Sequence, residues 1–160
     1  MRTRIVTILA VLAAATAAHA QTLQVRQYAA KFVCGKASDE QMKLFNFAPG
    51  QYFTTINVHN PMLRSAAEFQ KKFALAEPGE KPGRISDWFR GALKPDQAMQ
   101  IDCRNIYEHL NVPPGTFIEG FAVIQLSTAQ QLDVVGVYTA AGNAGVSTMH
   151  TERVPARITQ

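Results

Sequence analysis

Beyond residue 20 the side chains with the most chemistry to offer are three histidines, two cysteines and four methionines. His59 and Met62 flank Asn60-Pro61, while Met149 and His150 are neighbours. Imidazole and thioether together suit copper, above all Cu(I). The four residues would form a copper site if the segment around position 59 lay beside the segment around position 150. No spacing forces them together, and a surface imidazole beside gap-filling methionines is the commoner use of such residues. Nucleophilic chemistry has less support. The chain has no Gly-x-Ser-x-Gly, and a hydrolase triad of scattered Ser, His and Asp stands only as a second alternative, because geometry rather than spacing defines triads. The carboxylates Asp39-Glu40, Glu77, Glu80 and Glu119 are scattered, with no pair set for acid–base work. The sequence therefore reads as a non-enzymatic binding or interaction module of unidentified ligand, needing no cofactor unless copper is one.

Cys34 and Cys103 have a different use. Residues 1–20 have the form of a signal peptide: Arg2 and Arg4, an apolar run from Ile5 to Ala18, and Ala18-His19-Ala20 as a small-x-small cleavage site. The run is about fourteen residues, too short to span a bilayer of roughly 30 Å. The expected mature chain is 21–160, secreted to a bacterial periplasm, with no transmembrane segment after cleavage. A secreted chain with two cysteines most simply joins them. A Cys34–Cys103 disulfide would close a loop of about 70 residues.

The mature chain suits one domain. Without Arg2 and Arg4 it holds 14 basic and 12 acidic residues, a net charge of +2. That mild excess makes no case for nucleic acid. Arg64, Lys71, Lys72, Lys81, Arg84, Arg90 and Lys94 cluster in sequence, but Glu68, Glu77, Glu80 and Asp87 interleave with them. That is a mixed surface able to meet an acidic polymer or lipid headgroup.

The elements that must position these groups read as strands. Residues 51–59 alternate Tyr52, Thr54, Ile56 and Val58 with Phe53, Thr55, Asn57 and His59, between Pro49-Gly50 and Asn60-Pro61. Leu23–Cys34, Ser65–Ala76, Ala98–Cys103, Phe117–Leu126, Leu132–Tyr138 and Val146–Val154 follow with similar alternation. Ile85–Gly91 reads as a helical turn capped by Ser86, and Arg104–Leu110 as another. Residues 77–83 and 140–145 read as turns, and 35–50 as a loop dipping Phe45 and Phe47 inward. Phe117–Leu126 and Leu132–Tyr138 read as one hairpin, apolar on both faces. Phe121, Val123, Val135 and Val137 would then form an apolar patch for self-association into a homo-oligomer or for a protein partner, unless loop aromatics cover it.

About seven strands with turn signals between them point to an all-β fold, an antiparallel two-sheet sandwich. Asn57-Val-His-Asn-Pro61 and Leu93-x-Pro95 leading to Ile101-x-Cys103 resemble segments of secreted bacterial immunoglobulin-like modules of the CARDB type. The resemblance implies an immunoglobulin-like β-sandwich and no catalytic residues. Loops 35–50, 77–95 and 140–145 would be its contact surfaces.

Overall fold

The computed structural model describes residues 25–40, 47–142 and 145–159. The leader reading and Phe45 lie outside them. Among the described residues ten strands run in the order β1 (Val25–Ala37), β2 (Gly50–His59), β3 (Ala67–Glu77), β4 (Lys81–Ile85), β5 (Phe89–Leu93), β6 (Ala98–Asp102), β7 (Ile118–Leu126), β8 (Asp133–Gly142), β9 (Gly145–Arg153) and β10 (Arg157–Thr159). Helix α1 (Cys103–Leu110) sits between β6 and β7. Every strand pairing is antiparallel, in the path β4-β3-β7-β1-β2-β8-β9 with β10 on β1, β5 on β3 and β6 on β2.

Strand β1 joins two halves of this network. Arg26–Cys34 pair with β7, whereas Gly35–Ala37 pair with the start of β2. The change of partner falls on Gly35, whose φ is +95° and where an added Cβ would lie 2.2 Å from the Thr116 carbonyl oxygen. Only glycine combines that backbone with that approach. Where β1 and β2 diverge, the Thr54 hydroxyl replaces the missing ladder rungs. It accepts from the Val33 N–H at 2.9 Å and donates to the Val33 carbonyl at 2.9 Å, so neither backbone group is left unpaired in the interior.

Alternation along the strands builds one core from both halves. Tyr28, Ala30, Phe32 and Cys34 of β1 meet Ile56 and Val58 of β2, Phe69 and Phe73 of β3, Ala122 and Ile124 of β7, and Val134 of β8. Helix α1 plugs its end with Ile106, Tyr107 and Leu110. The helix starts where it does because Asp102 and Asn105 form a reciprocal cap. Asp102 Oδ1 accepts from the Asn105 N–H at 3.0 Å, and Asn105 Oδ1 accepts from the Asp102 N–H at 3.1 Å. Cys103 is thus the first helical residue rather than the last of a strand, and it bonds Cys34 as the cysteine count predicts.

Several expectations are corrected. Residues 81–85 and 89–93 are edge strands on β3, not a proline loop and a helical turn. Ser86 does not cap a helix: its N–H donates to the Phe73 carbonyl and its Oγ accepts from the Phe73 N–H, both at 2.9 Å. Strands β8 and β9 continue to Gly142 and from Gly145, shortening the 140–145 turn. The hairpin of residues 117–126 with 132–138 does not form. Strand β7 lies between β1 and β3, and β8 lies between β2 and β9.

His109, on the last turn of α1, is held between two rings, with its centroid 5.5 Å from Phe73 and 3.9 Å from Phe89. Burial holds its pKa below the ordinary histidine value, helped by the Lys71 charge and opposed by Glu108. The unfolded imidazole, near 6.5, therefore takes up its proton before the folded one. Stability from this residue is full above the unfolded value of about 6.5 and is lost as pH falls from there through the lower folded value. Urea unfolding of the wild type should show a midpoint that falls as pH drops below about 6.5, and His109→Phe should flatten that slope. An unchanged slope in the variant would refute the assignment.

Candidate functional site

A concavity lies where β7 ends beside β3 and β5. Here β3 pairs with β5 through Ala67–Lys71 and with β7 through Gln70–Leu75, so Ala67 to Phe69 run on past the last β7 partner. The space left is a cleft of about 620 Å³ lined by Glu68, Gln70, Arg90, Gln125, Ser127 and Thr128, together with Phe69, Gly91 and Ala92. Gly91 is needed there because an added Cβ would lie 2.5 Å from the Phe69 ring. Among the described residues the side chains of Gln70, Arg90 and Gln125 make no hydrogen bond or ion pair within the chain. Two amides and a guanidinium thus present a converging set of donors and acceptors to whatever enters.

A second, smaller cleft of about 200 Å³ lies on β2 and β8, lined by Val33, Phe47, Tyr52, Thr54, Tyr138 and His150 among others. Phe47, Tyr52 and Phe117 pack edge to face beside it, with centroids 5.4 to 5.7 Å apart. Phe47 is therefore half-buried against these rings at the cleft and does not enter the core cluster. The Tyr138 hydroxyl reaches Glu152 at 3.4 Å, and burial together with that carboxylate pushes its pKa up to about 12. Tyr138 remains a neutral phenol throughout the physiological range.

The four proposed copper ligands are not brought together. His59 lies opposite Asp133 and His150 opposite Tyr138, five positions further along β8, or roughly 17 Å. Both ring nitrogens of His59 already face carboxylates, Nε2 to Asp96 Oδ1 at 3.1 Å and Nδ1 to Asp133 Oδ2 at 3.5 Å. Arg153 completes that cluster on Asp133 at 2.7 Å. Met62 and Met149 are exposed, and His150 stacks on Tyr138. Among the described residues no group of three or more His, Cys, Asp or Glu side chains is arranged to hold a metal ion.

The apolar patch is divided as well. Phe121 and Val123 lie on the outward face of β7, while Val135 and Val137 lie on the outward face of β8 in the other half. Phe121 is 42 % exposed and carries the Lys31 ammonium 5.4 Å from its ring centroid. Lys31 is in turn paired with Glu119.

Single-sequence reading missed the Gln70–Arg90–Gln125 set. Its signal was the strand phase: Gln70 alternates with Phe69 and Gln125 with Ile124, which fixes both amides on the outward face. What brings Arg90 to them is the β3–β5 pairing, which Pro82, Gly83 and Gly91 conceal within 81–93.

No family model and no curated protein matches the chain. The solved structure of Thermotoga maritima 1070 is similar over 84 % of this chain and 95 % of that one, at 7 % identity and a TM-score of 0.48.

Proposed function

We propose that the chain is a periplasmic binding module that takes a ligand in the cleft between β3, β5 and the end of β7, without catalysing its conversion. The observation that carries this reading is the cleft of about 620 Å³ with Gln70, Arg90 and Gln125 unengaged around it. Polar groups converging on a concavity fix a ligand's orientation and select its chemistry. The β1 partner switch supports the finer fold reading, an immunoglobulin-like sandwich of two sheets. The Cys34–Cys103 bond and the leader-like residues 1–20 support export, which the mass of the mature protein would test directly, with Gln21 expected as the first residue.

Binding is tested by passing the purified mature protein over arrays of immobilised glycans and small polar solutes. At least one class should be retained, and Gln70→Ala/Gln125→Ala, with an unchanged melting temperature, should lose about tenfold in affinity or more. Equal retention by both proteins would place binding elsewhere.

A further inference from the structure

The cleft is one end of a longer surface. Cross-strand register places Arg90 opposite Gln70, Gln70 opposite Gln125, Gln125 opposite Gln27, and Gln27 opposite Arg157. Five strands thus align five side chains on one face: Arg90, Gln70, Gln125, Gln27 and Arg157. With strands about 4.8 Å apart, the row spans roughly 19 Å. The next row holds Lys72, Val123 and Ala29, and the one after it Ala74, Phe121 and Lys31. Trp88 lies over Lys72, with the ammonium 4.5 Å from its ring centroid, and is itself 39 % exposed.

We propose that this face binds an anionic polysaccharide, a carboxylate-bearing glycan lying along the Arg90–Gln70–Gln125–Gln27–Arg157 row. The proposal rests on the binding reading above and names its ligand class. Three amides in line offer paired donors and acceptors, the complement of vicinal hydroxyls on successive sugars. An arginine at each end matches carboxylates bidentately. The exposed Trp88 and Phe121 rings supply apolar surface for the faces of the sugar rings. Charge decides for an acidic glycan over a neutral one. Lys31 is neutralised by Glu119, and among the side chains of these rows and the cleft Arg90, Lys72 and Arg157 stand against Glu68.

The test uses affinity electrophoresis of the mature protein in polygalacturonate, with dextran, a single-stranded oligonucleotide and phosphatidylglycerol vesicles as comparison arms. Polygalacturonate should retard the protein at about 50 mM salt and much less at about 300 mM, because the contacts are charged and exposed. Dextran should not retard it. Arg90→Gln/Arg157→Gln should weaken binding about tenfold or more, and Trp88→Ala severalfold, with melting temperatures confirming that the variants fold. Tighter binding to dextran would overturn the anionic assignment and leave the binding reading standing. Preference for the oligonucleotide or the vesicles, or retardation insensitive to the arginine variants, would overturn the proposal. Failure of every arm together with the arrays would remove both.

Discussion

Asn60→Ala is expected to destabilise the protein by about 3 kcal/mol or more, and Asn60→Asp by at least as much. Asn60 has no solvent exposure. Its amide nitrogen donates to the Ser65 carbonyl at 2.8 Å and the Lys94 carbonyl at 3.0 Å, and lies 3.4 Å from the Leu93 carbonyl. Its oxygen accepts from the Met62 N–H at 3.2 Å and Gln130 Nε2 at 3.1 Å. One side chain therefore ties the end of β2 to the 61–65 turn, the end of β5 and the segment entering β8. Alanine abandons all of these groups at once. Aspartate keeps the acceptor but cannot donate, and sets a carboxylate against carbonyl oxygens in a site closed to water. Urea unfolding measures both variants, and an Asn60→Asp protein within 1 kcal/mol of wild type would contradict this account.

Removal of the Cys34–Cys103 bond is the second large effect. The bond joins residues 69 positions apart, for which restriction of the unfolded chain contributes about 4 kcal/mol. Cys34→Ala/Cys103→Ala also withdraws the sulfur that accepts the Thr54 N–H at 3.2 Å. The double variant should melt roughly 10–15 °C lower than the oxidised wild type, and a reducing agent should lower the wild type by a similar amount. Equal melting of oxidised and reduced wild type would show that the bond adds no stability.

These two sites mark what could be read from residues alone. The disulfide was legible because its two cysteines leave a single intramolecular pairing. Strand β2 was legible because β-branched and aromatic residues alternate between Pro49-Gly50 and Asn60-Pro61, with the observed strand at Gly50–His59. Strand β3, read as Ser65–Ala76, is observed at Ala67–Glu77, where burial follows the two-residue period over Ala67 to Phe69. The false hairpin of 117–138 had a physical cause. A short polar connection after an apolar strand is the local signature of a hairpin, yet Leu132 and Val134 belong to a core shared with the other half. Local sequence carries no mark of that crossing. Edge strands β4 and β5 were missed because Pro82, Gly83 and Gly91 suppress strand propensity, and edges tolerate them. Asn60-Pro61 was noticed as a stop signal, but not that its amide would be the most connected buried polar group.

The partner exchange at Gly35 has a further consequence, one of timing. The first strand finds β7 more than eighty residues later, and its opening residues Val25–Gln27 find Arg157–Thr159 at the far end of the chain. Contacts so distant in sequence close late and slowly. Only Gly35–Ala37 find a partner early, in Gly50–Tyr52, while Arg26–Cys34 wait for Ile118–Leu126. The order of synthesis is therefore not the order of assembly: the strand made first among those described is completed by residues 118–126 and 157–159.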